Sequence, residues 1–358
     1  MVRIISALSV ASLPVVLAAS ISCSASSPYS VGNPDSLYSE FVLAWDLTNA
    51  NHASFVTNPG TDWDEVFSRW RVQALTLSDH DELLAVITGM LAELGNGQVL
   101  LRTSQGLTRP NDPGFFENFD PVVWQSYTDQ WGFQYWQEFF DFGWAYVTPD
   151  STMGYLFLPD MGDRYSWADF LFMTVSVREC SGVILDLRAS GGTGDFISAY
   201  NTVGRFVSDG NRLAFYRQFR TGPGRYDMGE PSPVTVTKNG SWQFDVPIVV
   251  LVGRGTAGAA ELLTLMLETQ DNVILMGDST FGAPDVSCAY LLNDVSYNDE
   301  TWLYLPGFVV YDTEMNVQNG FGIEPDISVP VSPGDFAAGV DPVLETAVEY
   351  LTLKTRGQ

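Results

Sequence analysis

Apolar side chains recur at three- to four-residue steps through the first third of the chain: Leu37, Phe41, Val42 and Trp45, then Val66, Phe67 and Trp70, then Leu83, Leu84, Ile87, Met90, Leu91 and Leu94. That spacing lines one face of successive helices. Thr61-Asp62-Trp63-Asp64-Glu65 supplies a capping residue and an acidic first turn for the middle helix. Ser78-Asp79-His80-Asp81 does the same for the next, which Gly95 ends. The pattern predicts a small helical domain, helical from Asp35 to about Leu101 and bounded at residues 26–103. His80, in a cap, and His52, in the polar Asn49-Ala50-Asn51 stretch, read as surface or capping histidines.

Residues 104–150 form a connecting segment dense in aromatics, among them Phe115, Phe116, Phe119, Trp124, Trp131, Phe133, Trp136, Phe142 and Trp144. Rings at this density must be buried, and packing between two domains is the expected arrangement; an aromatic-walled groove is the alternative. Beyond Gly154 the texture changes. Continuous apolar runs at Tyr155–Leu158, Gly182–Leu187, Ile248–Val252 and Val273–Met276 alternate with helical stretches, which predicts an α/β domain over residues 151–358 with a sheet covered on both faces.

Composition narrows the partners. The 358 residues carry 17 Lys and Arg against 43 Asp and Glu, a net charge of -26. Long-range repulsion argues against nucleic acid; basic peptides would be attracted, while a solvated, soluble surface is the simpler reading of the acidity. Arg3, the apolar run Ile4–Ala19 and Ser20-Ile21-Ser22-Cys23 have the form of an export signal over residues 1–25, placing the protein in the periplasm, on the cell envelope or outside the cell. Cys23 is a candidate lipid-bearing cysteine, with cleavage after Ala18 or Ala25 competing. A lipid there is the expected route to a membrane, since no later run is long and apolar enough to span one. Cys180 and Cys288 show no metal-binding spacing, so neither a metal nor another cofactor is expected; a disulfide between them and two separate buried thiols are both open.

Two loops are placed for chemistry. The strand at 248–252 runs into Gly253-Arg254-Gly255-Thr256-Ala257-Gly258-Ala259-Ala260-Glu261 and then the apolar helix Leu262–Leu267. A strand, a glycine-rich turn and a helix start favour negative charge, as an oxyanion requires. Upstream, Asp186-Leu187-Arg188-Ala189-Ser190-Gly191-Gly192-Thr193-Gly194 closes another buried strand with a loop able to approach a ligand closely.

These segments, with Gly277-Asp278-Ser279-Thr280-Phe281-Gly282, Gly322-Ile323-Glu324-Pro325-Asp326-Ile327 and Asp341-Pro342-Val343-Leu344, resemble in order and spacing the tail-specific, or C-terminal processing, serine peptidases. The N-terminal part resembles their tricorn-core branch through Asp62-Trp63-Asp64 and Leu94-Gly95-Asn96-Gly97-Gln98-Val99. The resemblance implies a ClpP/crotonase-like α/β core preceded by a small helical domain, with no room for a PDZ module in the 102–150 interval. It also implies hydrolysis of peptide bonds in peptide or protein segments, often near C-termini. Position by position, the nucleophilic serine corresponds to Gly258, the bacterial branch's lysine to Ala283 and the tricorn-like branch's histidine to Gln98. The supporting acid is retained as Glu324, and Gly191, Gly192 and Ala259 match the oxyanion and binding positions. Acyl transfer needs a hydroxyl or thiol beside a base, so the expected function is peptide binding without the family's Ser/His hydrolysis. The alternative is an active serine-type endopeptidase with another nucleophile: Thr256, Ser190 or Ser279. Glu261 and Asp285 are further acids near the expected cleft.

Overall fold

The computed structural model describes residues 36–136, 142–148, 150, 152–162, 165–191, 194–293 and 300–355. The expected export signal with Cys23, and Gly192, lie outside the described residues.

Three helices come first: α1 (Leu37–Asn51), α2 (Trp63–Ala74) and α3 (His80–Ala92). Each starts at a side-chain cap. Ser36 Oγ accepts the Ser39 N–H, Asp62 accepts those of Asp64 and Glu65, and Asp79 accepts that of Glu82, satisfying donors that a helix N-terminus leaves open. There follow β1 (Leu100–Thr103), β2 (Gly106–Thr108), α4 (Pro121–Trp131), β3 (Gln134–Tyr135), β4 (Gly143–Tyr146), β5 (Met153–Phe157), α5 (Trp167–Met173), β6 (Gly182–Asp186), α6 (Phe196–Val203), β7 (Leu213–Phe219), β8 (Ser232–Thr235), β9 (Ile248–Val252), α7 (Ala259–Glu268), β10 (Val273–Gly277), β11 (Ser287–Asn293), β12 (Thr301–Pro306), β13 (Phe308–Tyr311), β14 (Ile327–Ser328), α8 (Pro333–Ala337) and α9 (Pro342–Thr355).

The large sheet has the order β14-β10-β9-β6-β5-β4-β3. Its members β14, β10, β9, β6 and β5 are parallel, while β4 and β3 return antiparallel. Every residue of β5, β6 and β9 is buried, as a sheet covered on both faces demands. On one face α5, α6 and α7 contribute Phe170, Ala199, Val203, Leu262, Leu263 and Met266 to the core. On the other, α4 and α9 contribute Trp124, Val343, Leu344, Ala347 and Leu351. Helix α7 is buried from Ala259 through Leu267; at about 1.5–3 kcal/mol per buried leucine it is among the main anchors of the sheet.

Three expectations need correction. The helical pattern does not reach residue 101: α3 ends at Ala92, and Leu100–Thr103 pair as β1 with Tyr304, Leu303 and Trp302 of β12. A short apolar stretch cannot repay helix nucleation, and it satisfies its backbone on a distant strand instead. The rings of 115–146 do not pack mainly between two domains. Phe119, Trp124, Tyr127, Trp131 and Phe133 cover one face of the large sheet with Tyr155 and Phe157, and Phe142, Trp136, Trp144 and Tyr146 pack against the core of the other face. His52 caps the C-terminus of α1, but it is buried, its ring edge-on to Phe55 at 4.9 Å. Burial, and secondarily the charge of Arg220, lowers its value to about 3, so it is neutral near pH 7. His80 opens α3 beside Glu40 at 3.4 Å.

The helical unit does not own its core. Phe41, Trp63, Ile87, Met90 and Leu91 pack with Leu292, Leu303 and Leu305 of β11 and β12, which join β1 and β2 in a four-stranded antiparallel sheet. Cys180 lies in the core of the large sheet and forms no disulfide with Cys288, which is on β11; burial pushes the Cys180 thiol up to about 11. Among the described residues no helix is long and apolar enough to cross a membrane, and no His, Cys, Asp and Glu group is arranged to hold a metal.

Candidate functional site

The loops leaving the carboxyl ends of β6, β9 and β10 meet at one edge of the sheet, the usual place for a ligand in a parallel α/β fold. Gly258 stands between β9 and α7 at φ 60° and ψ −123°. A residue with a side chain is strained there by about 1–3 kcal/mol, and glycine is not. Its N–H donates to Ala283 O at 3.0 Å. Helix α7 starts at the next residue, so its positive dipole end opens on this turn.

Both base positions adjoin that turn. A Cβ built on Gly97 would lie 3.2 Å from Ala283 Cβ and 2.4 Å from the Phe281 ring. Phe281 therefore fills the space that any side chain at 97 would need. Gln98 is buried. Its N–H donates to Asn96 Oδ1 at 2.7 Å and its carbonyl accepts from Ser287 Oγ at 2.5 Å. Its side-chain Nε2 has no hydrogen-bond partner among the described residues. An amide nitrogen donates and takes up no proton near neutral pH.

Gly191 comes in from the β6 side, where Ala257 N–H donates to Ser190 O at 3.0 Å. The Arg109 guanidinium donates to Gly97 O and, at 3.1 Å, to Gly191 O. The loops that carry Gly258, Ala283, Gly97 and Gly191 are thus linked to one another, and Gln98 follows Gly97 in the chain. The Gly191 N–H donates to Ala189 O at 3.2 Å within its own turn. Ala259, buried at the first position of α7, is the matched binding position that lies at the helix N-terminus. Glu324 lies on the flank, exposed, and accepts from Ser279 Oγ at 2.8 Å. The adjoining Ile323 and Thr280 are tied twice, Thr280 N–H to Ile323 O at 3.0 Å and Ile323 N–H to Thr280 Oγ1 at 2.7 Å.

The alternative nucleophiles are placed as follows. Thr256 is fully buried; its hydroxyl donates to Leu187 O at 2.9 Å and accepts from Gly253 N–H at 3.1 Å, so both its roles are used within the loops. Ser190 Oγ is buried with no hydrogen-bond partner among the described residues. Ser279 Oγ donates to Glu324 Oε2 at 2.8 Å, and its N–H donates to Asp278 Oδ1 at 2.7 Å.

Two buried acids brace these loops. Glu261, in the first turn of α7, accepts from Thr280 Oγ1, from Gly282 N–H at 2.8 Å and from Ala283 N–H at 2.7 Å. Burial raises its value to about 7 against the pull of those donors. Asp285 Oδ2 accepts from Ser54 Oγ at 2.8 Å, Asn96 Nδ2 at 3.0 Å and Asn319 Nδ2 at 2.7 Å, and burial raises this carboxyl above its ordinary range. Asp285 thereby fixes Asn96, which in turn receives the Gln98 N–H.

The mutual contacts of Arg109, Phe115, Arg254 and Phe281 escape a reading of the sequence. Arg109 lies over the Phe281 ring at 4.4 Å and Arg254 over Phe115 at 4.5 Å, while the two rings meet edge to face at 5.9 Å. Arg109-Pro110-Asn111-Asp112-Pro113-Gly114 reads only as a turn-rich linker.

Residues 152–329 match Peptidase family S41. The carboxyl-terminal-processing protease of Synechocystis sp. is 27% identical over 147 residues, 41% of this chain and 32% of that protein. The carboxy-terminal processing protease CtpA of Bacillus subtilis is 33% identical over 119 residues, 33% of this chain and 23% of that protein. The matched stretches therefore span a third or less of these relatives' lengths. Among solved structures, a candidate peptidase of Parabacteroides merdae has a TM-score of 0.69 at 22% identity, covering 89% of this chain and 97% of its own. The tricorn protease has a TM-score of 0.60 at 15% identity, covering 89% of this chain and 37% of its own. Both share the fold: an α/β sheet domain with a helical region before it. The chain belongs to peptidase family S41, the tail-specific peptidases.

Proposed function

We propose that this protein binds peptide or protein segments outside the cytoplasm and does not cleave them by the family's serine chemistry. One observation carries the reading: the turn at the start of α7 has a φ of 60° and bonds Ala283 O, and its residue is Gly258, which has no side chain to act as nucleophile. Gln98 and Ala283 beside it supply no base. Catalysis by acyl transfer is thereby without its nucleophile and its proton acceptor, whereas the glycine loops at Gly191 and Gly258 still allow a peptide backbone to come close. The engaged Thr256 hydroxyl supports the same reading.

The test is incubation of the mature protein with unfolded proteins and with peptides of free and amidated C-termini. Saturable binding without cleavage is expected. The double variant Gly258→Ser, Gln98→His should gain measurable hydrolysis, since a nucleophile with a general base contributes on the order of 10²–10⁴-fold. Turnover by the unmodified chain that disappears in a folded Thr256→Ala variant would overturn the proposal in favour of the active endopeptidase.

A further inference from the structure

Residues 109–118 run as a strap across the carboxyl edge of the large sheet. Among the described residues, 109–119 make no backbone-to-backbone hydrogen bond outside regular elements. Side chains hold the strap instead. Arg109 bonds Gly97 O and Gly191 O, Phe115 meets Phe281 and Arg254, Phe116 stacks on Phe336, and Asn118 Nδ2 donates to Val252 O at 2.9 Å. Residues 112–117 are exposed. A segment anchored this way opens at lower cost than the strands beneath it.

The environment of Arg109 is a built receptor for its side chain. Two carbonyl oxygens from loops 94 residues apart in sequence accept from the two arms of one guanidinium, and the Phe281 ring lies beneath it. A planar fork satisfies both acceptors at once while stacking; a lysine ammonium does not reproduce that geometry. No carboxylate among the described residues pairs with it within 4.0 Å. Burial lowers the guanidinium's value, and the charges of Asp112, Glu261 and Glu117 oppose that shift, so the pocket sits in a negative field within a chain of net charge -26.

We propose that Gly97 O, Gly191 O and the Phe281 ring form a guanidinium subsite, that Arg109 of the strap is its resident occupant, and that the ligand replacing it is an arginine-bearing peptide. This rests on the peptide-binding reading and names the ligand class for the same cleft. An arginine side chain of the peptide takes Gly97 O, Gly191 O and the Phe281 ring as Arg109 leaves them, so its entry to the subsite and the release of Arg109 are one event.

The experiment measures binding of fluorescent pentapeptides, alike except for a central Arg, Lys, Gln or Glu, to the full chain and to Arg109→Ala. Thermal shift with methylguanidine is run in parallel. Emptying the subsite should tighten the Arg peptide by about tenfold or more over the unmodified protein, a change of about 1.4 kcal/mol, and leave the Gln and Glu peptides little changed. Methylguanidine should stabilise Arg109→Ala and not the parent, and Phe281→Leu added to Arg109→Ala should remove the preference for Arg. If Arg109→Ala does not fold, Arg109→Gln takes its place. Peptides that all bind the variant alike, with no response to methylguanidine, overturn the subsite and leave the peptide-binding reading standing. Stabilisation by methylguanidine with no peptide bound leaves a guanidinium subsite but overturns both the arginine-peptide ligand and the peptide-binding reading.

Discussion

Arg188→Met tests whether the buried charges at the end of β6 hold the candidate site together. Arg188 is fully buried. Its Nε and Nη2 donate to Asp186 Oδ1 at 3.0 Å and Oδ2 at 2.8 Å, and its Nη1 donates to Asp341 Oδ1 at 2.9 Å and Asn118 O at 3.0 Å. Methionine keeps most of the volume and removes every one of these donors. Two carboxylates are then left in the core, and stranding one partner of a buried pair costs about 3–5 kcal/mol. The two costs do not simply add. Asp186 keeps the Tyr155 hydroxyl at 2.9 Å, and Asp341 keeps the Leu344 N–H at 3.0 Å as the cap of α9. A loss of about 3–5 kcal/mol is therefore expected, against a total of about 5–15 kcal/mol for a typical domain.

Urea unfolding followed by tryptophan fluorescence reads this loss. At pH 7.5 the deficit should be complete. At pH 5 it should be smaller, because stranded carboxylates can take up protons and shed their charge. Adding Asp186→Asn should recover part of the loss at pH 7.5. A deficit below about 1 kcal/mol, or one unchanged between the two pH values, would refute the reasoning that the charges, and not the bulk of the side chain, make the connection. Peptide binding should fall in parallel, since Arg188 anchors the strand end from which Ala189, Ser190 and Gly191 depart.

Gly97→Ser should destabilise the protein by about 1–3 kcal/mol by forcing the Phe281 ring aside, and Phe281→Ala should relieve most of that cost in a double-variant cycle read by thermal melting. His52→Phe should flatten acid sensitivity: the folded value is lowered to about 3 from 6.5, so below pH 6.5 the unfolded chain binds a proton that the folded chain does not. Stability is then lost as pH falls from 6.5 towards 3, at up to about 1.4 kcal/mol per pH unit. Unchanged slopes of unfolding free energy against pH in His52→Phe would contradict this.

Much of the site is legible from residue types alone. The strand at Ile248–Val252, the turn at Gly258 and the helix after it follow from an apolar run, a glycine cluster and another apolar run, all local signals. Gln98 and Ala283 lie 185 positions apart, yet the motif order assigns both to the base, and Gly97, next to Gln98, lies against Ala283. Contacts without a local signature escape such a reading. Leu100 and Leu101 belong to a strand because Tyr304 and Leu303 lie opposite, a pairing that no local window contains. His52 reads as polar and exposed because its neighbours Asn49 and Asn51 are, whereas the chain beyond α1 buries its ring against Phe55. Arg109 is hidden for a related reason: its side-chain acceptors are backbone carbonyls, which leave no mark on sequence.

Asp285 carries a consequence for how this protein can come apart. Its Oδ2 fastens Ser54 from the helical unit, Asn96 from the loop leading to β1 and Asn319 from the loop before β14, and the leucines of β11 and β12 complete the helical core. The helical unit is thus no autonomous module with a hinge. Heat or denaturant should dismantle it and the β11–β12 layer as one cooperative block, and a fragment ending after α3 would lack the strands that close its own interior. Any movement that admits a ligand is left to the parts outside that block, and the strap, tied down by side chains, is among them.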